Sequence, residues 1–162
     1  YISSYNDNYK TSPTIVLSIE HGVGGVDGVG AIGVGGLFAN KTVSYKYTSQ
    51  GYQSVYNYDR RWSNTVVGLR GTLHLNEIIE SDKFDVYGGL MLGYNIGSYK
   101  DKSTYTTGGI TTDYLDNYNY KLNFVTWSTF VGGRYFFTDK IGAYLELGYG
   151  ASYLNLGLTA KF

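Results

Sequence analysis

Six ionisable side chains stand on the polar side of alternating segments: Glu20, Arg70, His74, Arg134, Glu146 and Lys161. Counted from the nearest short turns, Arg70 and Arg134 lie at about the same depth as Glu20 and Glu146. One shared layer is therefore expected, with Arg–Glu pairs in it, because charges removed from water are tolerated only when paired. Such a layer can serve as a plug and staple or as a proton or ion path. The plug is the expectation. Tyr87, Met91, Phe130, Phe136 and Tyr144 share that side of the segments.

Other chemistry is thin. His21 and His74 are the only imidazoles, and His74 reads as a hydrogen-bonded interior residue. Two distant histidines do not converge as metal ligands must. Asp113 and Asp116 offer oxygen ligands of the kind calcium takes, but no glycine-spaced acidic run surrounds them, so a solvated loop is expected. Cysteine is absent, which removes disulfides, Cys-based zinc sites and thiol chemistry. Gly22–Gly25 and Gly28–Gly30 superficially match a nucleotide loop, yet a strand rather than a helix follows them. No catalytic residue, cofactor or metal is assigned, and the chain is not read as an enzyme.

The elements that must hold these residues follow from composition and period. Charged residues make up 16% of the 162, against about 25% in an ordinary soluble protein. Glycine numbers 23, tyrosine 19 and proline 1. Lys plus Arg equals Asp plus Glu at 13 each, which leaves no basic footprint for nucleic acid. Apolar runs are far short of the roughly 20 residues of a membrane helix. No charged-then-apolar leader is visible, so any secretory leader is expected to have been removed. Strict alternation, the strand signal, recurs over residues 14–22, 28–39, 65–75, 84–96, 124–137, 141–149 and 153–162. The second fades into residues 41–47. Connections at 23–27, 76–83 and 138–140 are short. Those at 49–61 and 100–120 are long, with 150–152 a short exception. Short turns on one side and long loops on the other are the pattern of an outer-membrane barrel.

Alternation alone does not say which face looks outward. The polar set is mostly Gly, Ser, Thr and Asn, too small and too uncharged for a water-facing exterior, and it suits the inside of a narrow barrel. The Ile15/Leu69/Leu90/Leu156 set is then expected to face lipid. Phe84, Tyr135, Phe137 and Phe162 fall at segment ends and read as an aromatic girdle at a membrane boundary. Tyrosines crowd the long-connection side. Tyr52, Tyr56, Tyr58, Tyr105, Tyr114 and Tyr118 are expected to form a loop recognition surface, since Tyr supplies rigid amphipathic contact area. The other reading of these rings is that they pack projecting strands.

The stretch Glu146-Leu147-Gly148-Tyr149-Gly150, continued by Leu154-Asn155-Leu156-Gly157-Leu158-Thr159-Ala160-Lys161-Phe162, resembles the last hairpin of small outer-membrane β-barrels. Tyr87-Gly88-Gly89-Leu90-Met91-Leu92-Gly93-Tyr94 and Val131-Gly132-Gly133-Arg134-Tyr135-Phe136-Phe137 resemble strands of the outer membrane β-barrel proteins of Bacteroidetes-type Gram-negative bacteria. The architecture is similar to the OmpA transmembrane domain. The resemblance implies an all-β, antiparallel up-and-down transmembrane barrel over residues 1–162, with 1–13 the remainder of an extracellular loop. It implies eight strands, of which seven are visible and the first is expected to lie ahead of Tyr1, unless the segment 1–10 pairs irregularly in its place. It implies that Phe162 is the signal read by the barrel-assembly machinery, and that the surroundings are outer-membrane lipid and lipopolysaccharide. Enzymes of that membrane place catalytic groups near the outer rim, where this chain has no histidine. The function expected is structural or binding, with a plugged lumen and Tyr-rich external loops, as an accessory of a larger outer-membrane complex. A rim enzyme acting on lipid or peptide and a soluble lipocalin-like ligand-binding barrel are the alternatives.

Overall fold

The computed structural model describes residues 9–79, 81–114, 119–149 and 153–161. The fold is all-β and antiparallel, with no helix among the described residues. Its strands are β1 (Tyr9–Thr11), β2 (Ile15–Val26), β3 (Gly30–Gln50), β4 (Ser54–His74), β5 (Phe84–Asp101), β6 (Thr104–Thr107), β7 (Ile110–Asp113), β8 (Asn119–Phe136), β9 (Ile141–Tyr149) and β10 (Leu154–Ala160). The chain packs as two compact units.

One unit comprises residues 16–39, 66–95 and 124–162. Its strands follow the order β2–β3–β4–β5–β8–β9–β10, each next to its sequence neighbour in the unit. Register is set by the two-residue period. Leu147 stands opposite Val131 on one side and Leu154 on the other, which makes a cross-strand apolar row. The opposite face carries the core, Tyr87, Met91 and Phe130, with Leu37 and Val66 packed against it. Gly132 is needed there: a Cβ at this position would stand 2.7 Å from Cζ of the Tyr87 ring. The strand can pass beneath that ring only without a side chain.

The other unit comprises residues 1–15, 40–65 and 96–123. In it β1 pairs with β3, with Tyr9 opposite Tyr45. β6 pairs with β4 and with β7. The β6–β7 hairpin turns on Gly108 and Gly109, both at positive φ (59° and 80°), the two-residue turn that glycine pairs favour.

Two of the expected long loops are mostly strand. Residues 49–61 reduce to a connection of Gly51, Tyr52 and Gln53 between β3 and β4, and residues 100–120 hold the β6–β7 hairpin. Ser54–Arg61 alternates Tyr56 and Tyr58 against Val55, Asn57 and Asp59, so neither face reads as apolar. Tyr and Thr nevertheless favour the extended backbone, and ladder pairing extends the strands where apolar contrast gives out. Tyr9–Thr11, expected in a loop, pairs with Val43–Tyr45.

Candidate functional site

Glu20, Arg70, His74, Asp85, Arg134 and Glu146 of the first unit described converge on one face. Glu20 from β2, His74 from β4, Asp85 from β5 and Arg134 from β8 form one cluster. His74 Nε2 lies 3.0 Å from Glu20 Oε1, and His74 Nδ1 lies 2.9 Å from each oxygen of Asp85. Arg134 donates to Glu20 Oε1 at 3.2 Å and reaches Asp85 Oδ2 at 3.6 Å. Thr72 donates to Glu20 Oε2 at 2.9 Å. Two cations thus bridge the same two carboxylates.

A second cluster shares that face. Arg70 Nη2 donates to Glu146 Oε1 at 2.7 Å, and the Tyr87 hydroxyl donates to the same oxygen at 2.8 Å. Arg70 is only 4% exposed and Glu146 5%. The Arg70 guanidinium lies 4.1 Å from the centroid of the Phe130 ring, and that of Arg134 lies 4.3 Å from the centroid of Tyr87. Cations over ring faces gain where water is excluded. Glu20, Asp85 and Glu146 balance Arg70, Arg134 and a protonated His74, three against three. Charges paired this densely link β2, β4, β5, β8 and β9 across the face.

Beside the first cluster lies a cavity of about 1150 Å³. Both β2 and β10 line it, as do Glu20, His74, Asp85 and Arg134. His21 and Lys161 are exposed and lie on its wall rather than in the paired network.

The other face of this unit is apolar and exposed. Leu17, Leu69, Leu90, Val131, Leu147 and Leu156 all stand on it, Leu156 at 76% exposure. Rings gather at both ends. Phe84 and Tyr135 are 6.5 Å apart and Tyr135 and Phe137 are 5.7 Å apart at one end. Trp127, Tyr149 and Tyr153 form a second chain at the other, with 6.2 and 6.4 Å between successive centroids. Phe162 lies outside the described residues.

The other unit carries the tyrosines. Tyr56, Tyr58, Tyr105 and Tyr114 form one ring cluster, with centroids 5.9–6.4 Å apart. Tyr47 stacks on Tyr58 at 6.1 Å, and Tyr45 and Tyr9 extend the row. Tyr52 stands fully exposed in its turn. Tyr56, Tyr58 and Tyr105 are thus strand residues rather than loop residues, and Tyr118 lies outside the described residues. Asp113 sits on β7 opposite Thr104; Asp116 is outside the described residues.

A buried latch holds the hairpin beside this row. Asp101 Oδ1 accepts from the Ser103 amide at 2.9 Å and from its hydroxyl at 2.5 Å. Asp101 Oδ2 accepts from the Tyr99 hydroxyl at 3.0 Å and Arg60 Nε at 3.1 Å. Burial alone would raise the Asp101 carboxyl. The Ser103 hydrogen bonds, the Tyr99 hydroxyl and the Arg60 charge outweigh it and hold the group below its ordinary value. Burial and the same carboxylate push the Tyr99 phenol up.

Sequence reasoning missed Asp85, the anion that faces the second ring nitrogen of His74. It shares the parity of Tyr87 and Met91 on β5, and that parity was the signal available. Sequence reasoning also did not assign Trp127, Tyr149 and Tyr153 as a ring group, since Trp127 meets Tyr149 only through the β8–β9 pairing. No protein-family model matches the chain, and no curated protein matches it.

Proposed function

We propose that this chain is an integral outer-membrane β-barrel with a plugged polar lumen and a tyrosine-rich extracellular part. Its role on this reading is structural or binding, as an accessory of a larger outer-membrane complex. One observation carries the reading: the unit with the charge network is inside out relative to a soluble sheet. Its apolar side chains are exposed, whereas Arg70, His74 and Glu146 are buried and Glu20, Asp85 and Arg134 half-buried on the opposite face. In water, such an exterior would be one large apolar patch. In a bilayer it is the lipid-facing band, and the soluble lipocalin-like arrangement would require the reverse.

Two further features support it. The aromatic groups at the two ends match the girdles expected at both interfaces of a membrane barrel. Along β8 they are separated by the eight residues from Trp127 to Tyr135, about 27 Å of strand. β3 and β4 are 21 residues each, well beyond the 9–11 needed for a tilted crossing. The excess falls on the tyrosine-bearing stretches, which on this reading stand outside the bilayer, toward lipopolysaccharide. The paired charges would fill the lumen as a staple rather than a conduit.

Reconstitution tests the reading. The protein should float with lipid vesicles after carbonate washing, require detergent for monodispersity, and give no sustained conductance in planar bilayers. Monodisperse behaviour in detergent-free buffer would refute the membrane placement, and a large stable conductance would refute the plug.

A further inference from the structure

The cavity beside the charge network lies wholly within one unit, and both edges of that unit line it. β2 pairs with β3 and β10 with β9 among the described residues, yet Ser18 and Gly22 of β2 and Thr159 and Ala160 of β10 share its wall. Its floor is the cluster of Glu20, His74, Asp85 and Arg134, whose charges are already paired. Its rim differs. Asp82, Asp139 and Lys161 are exposed on the wall and make no ion pair among the described residues. They follow the order of the sheet: Asp82 precedes β5, Asp139 lies between β8 and β9, and Lys161 follows β10 at the edge. Two carboxylates thus stand away from the seam between the edges, and one ammonium stands at it. On the outer face beside the seam the side chains are apolar, with Ile19 at 77% exposure and Leu158 at 78%. Ile32, Phe84 and Phe136 add apolar wall within.

We propose that this cavity is a binding site for the headgroup of one phospholipid that carries a primary ammonium as well as a phosphate, its acyl chains leaving through the seam between β2 and β10. The inference rests on the membrane-barrel reading, which sets the Phe84, Tyr135 and Phe137 end of the unit at the level of lipid headgroups. The cavity holds about 1150 Å³, just above the range of roughly 300–1,000 Å³ usual for small-ligand pockets. Headgroup and glycerol fit there together.

Charge complementarity selects the ligand. A primary ammonium brings three N–H donors to Asp82 and Asp139, and a phosphodiester brings ionised oxygens to Lys161. Such a lipid joins these groups in the order of their partners across the sheet: ammonium, then phosphate, then glycerol and acyl chains at the seam. A headgroup without the ammonium leaves both carboxylates unpartnered, and a purely cationic one sets its charge against Lys161. The floor, where cations and carboxylates are already matched, adds little to the choice. Edge amides of β2 and β10 that face the seam can donate to phosphate and ester oxygens, which relieves the cost of leaving them unpaired in hydrocarbon.

The test counts lipid on the protein. Isolated from its own membranes in mild detergent and weighed by native mass spectrometry, the protein should carry one phosphatidylethanolamine per chain. Delipidated and offered lipid in mixed micelles, it should retain phosphatidylethanolamine about tenfold better than phosphatidylglycerol, whose headgroup lacks the ammonium. Exposed ion pairs contribute up to about fivefold each, so Asp82→Asn with Asp139→Asn should erase that preference and leave phosphatidylglycerol retention unchanged. Lys161→Gln should weaken both lipids alike. Equal retention of the two lipids by the parent protein would overturn the proposal. So would a preference that survives both Asn substitutions, soluble phosphoethanolamine binding as tightly as the whole lipid, or a polypeptide strand found in the cleft. Failure of the membrane reading is separate: it would appear as monodispersity in detergent-free buffer, whatever lipid the solubilised protein keeps.

Discussion

His74 holds its Nδ1 atom 2.9 Å from both carboxylate oxygens of Asp85. Its Nε2 faces Glu20 at 3.0 Å. An ionised carboxylate only accepts, so each ring nitrogen must carry a hydrogen to satisfy this geometry. Arg134 contacts both acids, Glu20 at 3.2 Å and Asp85 at 3.6 Å. The ring is thus a fixed imidazolium that ties the edge strand β2 to β4 and β5. Nitrogen-15 spectra of the protein at neutral pH should show two protonated ring nitrogens for His74. A neutral-tautomer pattern, with one bare nitrogen, would remove the basis for the three-against-three balance.

Arg70 and Glu146 make the most enclosed ion pair. Removing one partner of a buried pair leaves the other uncompensated, typically at a cost of about 3–5 kcal/mol. Glu146→Gln keeps an acceptor for Tyr87 but removes the charge, so its cost should fall toward the lower end of that range. The denaturation midpoint should drop while bilayer conductance stays at baseline. Adding Arg70→Met should restore much of the loss. A Glu146→Gln protein of unchanged stability would mean that the pair is not a staple, and one that opened a steady current would mean that it is a gate.

Legibility in the sequence followed apolar contrast. Where one parity is Leu, Val or Ile and the other is Gly or Ser, as at Ile141–Tyr149, the strand is found with its bounds. Where neither parity is consistently apolar, as at Ser54–Arg61 and Thr104–Asp113, the pattern vanishes although the strands persist. Tyr56 and Tyr105 are held by a ladder between residues far apart in sequence, which local periodicity does not contain. The shared side of Glu20, Arg70, His74, Arg134 and Glu146 was readable from parity. Their pairing was not, because Arg70 meets Glu146 across strands 76 residues apart. Asp85 shares that side with Tyr87 and Met91, but its contact with His74 depends on how β5 lies beside β4, which parity does not supply.

The Asp101 latch gives the tyrosine-bearing unit a defined acid limit. The carboxyl lies below its ordinary value in the folded chain. Its contribution to stability is therefore complete above the unfolded value near 4 and is lost as pH falls through the lower, folded value. Near-UV circular dichroism should report this, because Trp62 lies 5.3 Å from Tyr99, which donates to Asp101. The aromatic signal should hold through neutral pH and decline below about pH 4. Asp101→Asn should weaken the signal at neutral pH and flatten its dependence below. A wild-type signal unchanged down to about pH 2 would mean that the hairpin does not depend on this carboxylate.

The lipid-facing assignment can be read as a depth profile on the exposed face. Leu156 stands on β10 opposite Leu145, mid-strand and 76% exposed. Phe137 stands at the edge of the same apolar face, in the ring group with Tyr135. In a bilayer, Lys near the midplane of a barrel exterior costs about 2–4 kcal/mol, while at the interface the cost is about 0–1. Leu156→Lys should therefore destabilise the reconstituted protein by about 2–4 kcal/mol and Phe137→Lys by no more than about 1. Ile78→Lys, in an exposed turn, serves as the water-facing control and should be nearly neutral. In water no such gradient arises, since an exposed Leu gains little from being apolar and Lys is at home there. Equal, small effects at all three positions would place this face in solvent and end the membrane reading. A steep cost at Leu156 alone would locate the hydrocarbon between the two aromatic ends.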